Sequence, residues 1–316
     1  MKPITSAFLL CSTLSLVACG PAGRSMGGDD SSGGDDTTGG PDASVGEARK
    51  CNKMDLVFVV DDSGSMSEEQ SNLASNFPMF ATVLQNYVNA DGQHIDFRIA
   101  VTTTGKDITY SVNLGGTSFP MTEHGPDGKF MNNCGVTQRW LDSNTPNLGT
   151  TLGCRANVGT GGASYEMPLL MAKHALSERV TSGENAGFLR DDALLGVVML
   201  TDEDDGSSTD TMFTIDAANT NSGPNLNFNP PDAIQFFDTL KGHRSRWAAG
   251  VIAGETSCNS SFGSAAEATR LKQFVQMTNA NGSQQAVFSS ICAGNLTVAL
   301  TDVLAKFQAA CGGIIL

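Results

Sequence analysis

Apolar residues cluster in runs of two kinds along this chain. Met54–Val60, Ala193–Thr201, Trp247–Ala253 and Ala286–Ser290 are short, continuous and rich in β-branched or small residues, the pattern of strands buried on both faces. His94–Thr103 instead alternates, with Ile95, Phe97, Ile99 and Val101 on one face. Between these runs the spacing becomes helical over about 67–88, 165–180, 233–241, 265–278 and 296–310. Strand and helix patterns taking turns predict an α/β fold, a doubly wound, mostly parallel sheet flanked by helices. Ile108–Leu114 reads as an antiparallel partner of His94–Thr103. Two long loop insertions, 115–162 and 205–231, are rich in Gly and Asn and follow the expected carboxyl edge of the sheet. Phe119, Phe130, Trp140 and Phe213 within them either offer contact surface or pin the loops down.

The first 48 residues have a different character. Lys2 precedes an apolar stretch from Phe8 to Ala18, too short to span a bilayer but suited to a secretory signal. Leu16-Val17-Ala18-Cys19 resembles the lipobox of bacterial lipoproteins. That resemblance implies a signal peptide over 1–18, lipid on Cys19 and an exported, lipid-anchored protein. An ordinary signal peptide is the alternative. Gly20 stands where an inner-membrane retention Asp commonly follows, so the outer membrane is the expected address. Residues 19–48, dominated by Gly, Ser, Asp and Thr, bury little apolar surface and read as a flexible tether to a domain over 49–316.

Cys11 lies in the signal and Cys19 is the lipidation site, which leaves six of the eight cysteines. Six in an exported domain favour disulfides, and their spacing lacks the paired knuckles of a zinc site. Fifteen pairings are possible. Cys51 with Cys311 would bring the domain termini together, Cys134 with Cys154 would close the first insertion, and Cys258 with Cys292 would link the loops around the last strands.

The candidate chemistry begins where the first buried run stops. Asp61, Ser63 and Ser65 occupy alternate positions of a strand-to-helix loop, and three hard oxygen donors suit a small hard cation. The same residue types are also favoured helix caps. Asp-x-Ser-x-Ser after an apolar strand resembles the metal-ion-dependent adhesion site of von Willebrand factor A domains. The resemblance implies that fold, a bound Mg2+ (or Mn2+/Ca2+), and an open coordination position for a carboxylate of a protein partner. It carries over to Asp202, which follows the second buried run in Leu200-Thr201-Asp202, although Glu203 replaces the family glycine. It fails in the third loop. Gly161-Gly162-Ala163 with Leu169 keeps the frame, but Ala163 stands where the family has a metal-binding Thr, leaving Thr160, Ser164 and Glu166 as substitutes. Glu68 and Glu69 sit where the A-like domains of integrin β polypeptides have acidic residues at an adjacent calcium site; two Glu also suit a helix's first turn.

Two other functions compete with a cation-dependent binding module. A degenerate A domain would bind a partner without metal. A hydrolase would use the Asp202–Asp205 cluster, but the four histidines are scattered and no nucleophile or paired-histidine motif accompanies it. The apolar strand before Asp202-Glu203 also resembles a Walker B element, with no phosphate loop to match. Net charge of −14 argues against nucleic acid and fits a cation-attracting surface.

Overall fold

The computed structural model describes residues 51–219, 222–260 and 263–314. The expected signal peptide, Cys19 and the tether lie outside the described residues. None of the described helices is long and apolar enough to cross a membrane.

In chain order the elements are β1 (Lys53–Val60), α1 (Ser67–Asn86), β2 (Asp96–Thr103), β3 (Ile108–Leu114), β4 (Thr117–Glu123), β5 (Leu141–Asp142), α2 (Leu148–Ala156), α3 (Pro168–Leu176), α4 (Glu178–Thr181), β6 (Leu194–Leu200), β7 (Met212–Asp216), α5 (Pro230–Lys241), β8 (Trp247–Ala253), β9 (Cys258–Ser260), β10 (Gly263–Ala265), α6 (Thr269–Thr278), β11 (Ala286–Ser290) and α7 (Leu296–Gly313). The central sheet runs β11-β8-β6-β1-β2-β5. Its pairings are parallel except for the short β5 against β2. This is the doubly wound α/β sheet that the strand and helix pattern predicts.

Both faces of the sheet are buried, which is why β1 reads as one apolar run. Leu56, Phe58 and Val60 join the core under α1 and α7, whose Phe77, Phe80, Val303 and Phe307 meet them. Val57 and Val59 face the other way, into a core shared with α3, α5 and α6 through Met171, Phe237 and Phe274. Helix α7 lies close because two strand positions opposite it are glycine. A Cβ at Gly196 would come within 2.9 Å of the Phe307 ring, and one at Gly250 within 2.4 Å of Val303. Burying each large side chain contributes about 1.5–3 kcal/mol, and truncating one to Ala typically costs about 2–5 kcal/mol.

The strand expected to pair with β2 does something else. β3 belongs to a separate three-stranded sheet, β4-β3-β7, antiparallel to β4 and parallel to β7. The two insertions therefore share one sheet, on either side of β3: β4 comes from the first and β7 from the second. Gly115 and Gly116, both at positive φ, make the tight β3–β4 turn. Of the four insertion aromatics, three pin loops. Phe130 packs edge-on against Phe188 at 4.8 Å, Trp140 lies near that ring and under the Arg98 guanidinium, and Phe213 stacks on Tyr110 at 5.1 Å. Only Phe119 presents its ring to solvent, at 48% exposure. Disulfides join Cys51 to Cys311, Cys134 to Cys154 and Cys258 to Cys292.

Candidate metal centre

Adjacent strands bring two distant loops side by side. Val60 of β1 is level with Leu200 of β6, and the next amide, Asp61 N–H, donates to Leu200 O at 2.9 Å. Asp61 is fully buried. Its Oδ1 accepts from the Ser63 N–H at 2.8 Å and its Oδ2 from the Thr201 hydroxyl at 2.7 Å. Ser63 Oγ and Ser65 Oγ lie 2.9 Å apart, and Ser65 Oγ donates to Asp202 Oδ1 at 3.2 Å. The four residues Asp61, Ser63, Ser65 and Asp202 thus form one hydrogen-bonded chain at the carboxyl edge, its first link through the Ser63 amide and Ser65 at its solvent side. Helix capping does not explain them. Neither the 3-10 turn Gly64–Met66 nor α1 has a side-chain cap bond at its start.

The electrostatics are those of acids crowded without a counter-charge. Burial pushes the Asp202 carboxyl up to about 7, and Asp61, Glu69 and Glu203 push in the same direction. Burial raises Asp61 too, opposed by Ser63 and Thr201 and reinforced by Glu203. Asp62 rises to about 6 and Glu166 to about 10, again mainly through burial. No ion pair among the described residues reaches Asp61, Asp62, Glu69, Glu166, Asp202 or Glu203. Oxygen donors only, hydroxyls mixed with carboxylates and no basic side chain: this donor set fits a hard divalent cation. Among the described residues no three acidic, histidine or cysteine side chains are gathered on one metal-sized point, so the Ser hydroxyls are needed to complete any shell.

The third loop separates its candidates. Gly162 N–H donates to Asp62 O at 2.7 Å, and a Cβ on Gly162 would fall 2.1 Å from the Asp62 carboxyl carbon, so only glycine fits there. Ala163 is turned into the protein, where a Cβ on Gly105 would meet its own at 2.9 Å. Thr160 is exposed, with its carbonyl facing Gly64. The Ser164 N–H is taken by Glu123 Oε2 at 2.8 Å. Glu166 is only 3% exposed, and the charges of Asp61 and Glu203 act on it; it alone of the three is enclosed near the acidic cluster. Glu69 is also buried, its carboxyl packed where a side chain on Gly263 would stand, while Glu68 is exposed and bonded to Ser67.

The acidic run after Asp202 divides by function. Asp204 accepts the Arg270 and Leu271 N–H groups at the start of α6. Asp205, fully enclosed, accepts the Leu169 N–H at the start of α3, the Ser207 hydroxyl and the Arg270 guanidinium. Both are committed to helix starts, which removes half of the cluster a hydrolase would use. The sequence points to Asp202 but not to this long-range capping, since a cap from outside the helix leaves no local signature.

No family model matches the chain, and no curated protein matches it. Solved structures similar to it include proximal thread matrix protein 1 from the mussel byssus (13% identity, TM-score 0.41, 81% of this chain and 48% of that one). Others are the pilus adhesin SpaC from Lactobacillus rhamnosus GG (10%, 0.43, 83% and 31%) and the manganese-loaded TRAP protein of Plasmodium vivax (11%, 0.35, 80% and 73%). The chain spans about half of the first of these and about a third of the second.

Proposed function

We propose that this protein is a divalent-cation-dependent binding module of the cell envelope, an A-domain-like adhesion site held to the outer membrane by lipid on Cys19. The observation that carries the reading is the connected set Asp61, Ser63, Ser65 and Asp202, partly buried at the sheet edge with no Lys or Arg beside it. A protein that crowds carboxylates in this way is disfavoured unless a cation offsets them. Asp61 and Asp202 would supply charge, and Ser63 and Ser65 neutral donors. Thr201 holds the Asp61 carboxylate in place. A bound cation would supply a positive centre able to accept a carboxylate oxygen of a protein partner.

Calorimetric titration of the protein with Mg2+, Mn2+ and Ca2+ tests the reading. Binding by wild type and its loss in Asp61→Ala is the expected result; silence from wild type, or unaltered binding in the variant, removes it. Ala163 favours a second reading, a metal-free scaffold, because the third loop lacks the expected hydroxyl. Partner capture that survives chelation supports that reading instead.

A further inference from the structure

We propose that Glu166 is the third-loop residue that acts on the cation, and that its charge makes the site select Ca2+ over Mg2+. The inference rests on the cation-binding reading above. Four observations converge on this side chain. Glu166 is buried to 3% exposure at the turn leading into α3. Its Oε1 is enclosed and has no hydrogen-bond partner, which is costly for a buried carboxyl oxygen. The charges that bear on it are those of acids, Asp61 and Glu203. Its backbone is fixed from both directions: the Gly206 N–H donates to Glu166 O at 2.7 Å, and the following Met167 N–H donates to Thr104 O at 3.0 Å.

The alternative third-loop residues are not enclosed with the acids. Ala163 has no side-chain oxygen and faces Gly105, while Thr160 and Ser164 are exposed, the latter with its backbone N–H held by Glu123. A glutamate in place of a threonine changes the charge around the ion, not only its geometry. Because no three acids converge on one metal-sized point, Glu166 would act through water, adding a third negative charge to those of Asp61 and Asp202 near the ion. Mg2+ takes few carboxylates, keeps its waters and demands a tight octahedron. Ca2+ tolerates six to eight oxygens, and its affinity rises with the charge of its ligands.

The test titrates the full-length protein with Ca2+ and with Mg2+ in wild type, Glu166→Gln and Glu166→Asp. Glu166→Gln keeps the shape and an oxygen but removes the charge. It should lower Ca2+ affinity by about 10–100-fold, the range seen when a metal's supporting groups are lost, and change Mg2+ affinity far less. Glu166→Asp should fall between. A Ca2+/Mg2+ preference unchanged in Glu166→Gln, with both ions still lost in Asp61→Ala, overturns the role of Glu166 and leaves the cation site standing. No binding of either ion to wild type overturns both. Thermal melting in chelator guards against misfolding: Glu166→Gln should melt no lower than wild type, because it removes an acid from among acids. A lower melting temperature would make Glu166 a structural residue and overturn the proposal.

Discussion

Strand β1 carries a buried aspartate near one end and is followed by another at the opposite end, and the fold treats the two in opposite ways. Asp55, near the amino edge, is fully enclosed and bound by Arg190 three times over: its Oδ1 accepts the guanidinium Nε–H at 2.8 Å, its Oδ2 accepts the backbone N–H at 2.7 Å, and the two make an ion pair. Burial raises its carboxyl, and Arg190 opposes the rise by charge and by hydrogen bonds. Asp61, one residue past the carboxyl end, is as deeply enclosed but has only hydroxyl and amide donors, with Glu203 pushing the wrong way. The fold therefore has the means to neutralise a buried carboxylate from within, applying it to Asp55 through Arg190 and to Asp205 through Arg270, but not to Asp61 or Asp202. The buried acids left without a basic partner are the ones beside which the Ser hydroxyls gather.

Removing the guanidinium attacks the comparison hardest. Arg190→Met should lower unfolding free energy by about 3–5 kcal/mol, the usual consequence of stripping a buried charge of its partner; urea denaturation measures it. A loss below about 1 kcal/mol would mean that a lone enclosed carboxylate is tolerated here, and the case for a cation at Asp61 would weaken with it. Next in size is the effect of metal on wild type. At a hundredfold excess over the dissociation constant, a cation bound only by the folded state adds about 2.7 kcal/mol, a melting rise of about 5–10 °C for a domain of this size. The rise should vanish with chelator, and in Arg190→Met it should persist, since the two edges are independent.

The smallest effect concerns pH at the Asp55 edge. Lys241 donates to the carbonyls of Arg190 and Asp191. Burial pushes its ammonium down to about 8, with Asp55 opposing. A lysine whose folded value lies below its unfolded one binds fewer protons when folded. Stability should therefore rise as pH climbs from about 8 to about 10. Lys241→Met should flatten that rise in denaturation curves recorded across the window.

Much of this is readable in the amino-acid sequence because both-face burial writes itself as an unbroken apolar run. β8 and β11 begin and end where the runs do, and β1 and β6 within a residue of theirs. Once β1 and β6 are neighbours, Asp61 and Asp202 must share an edge. Partners of exposed strands are not readable. β4 has no buried residue along its length and carries Pro120, so no periodicity marks it, and without β4 and β7 in view β3 is assigned to the wrong neighbour. Helix α2, nine residues with two glycines, is hidden in what reads as loop. Asp204 and Asp205 are ambiguous for a different reason: their partners, Arg270, Leu271 and Leu169, lie tens of residues away.

The bridge between Cys51 and Cys311 has a mechanical consequence. Residue 51 is joined both to β1, two residues on, and to the last turns of α7. A pull arriving from upstream is therefore divided at its point of entry between a central strand and the helix packed across it. Neither can be peeled away alone, because β1 is gripped on both sides by parallel strands and α7 is fixed just before its other end by Cys292 to Cys258. Load enters at the amino edge of the sheet, and the oxygen-lined loops stand at the opposite edge. Traction entering at Cys51 would run along the length of β1, as shear against the parallel strands on either side, before it reached those loops.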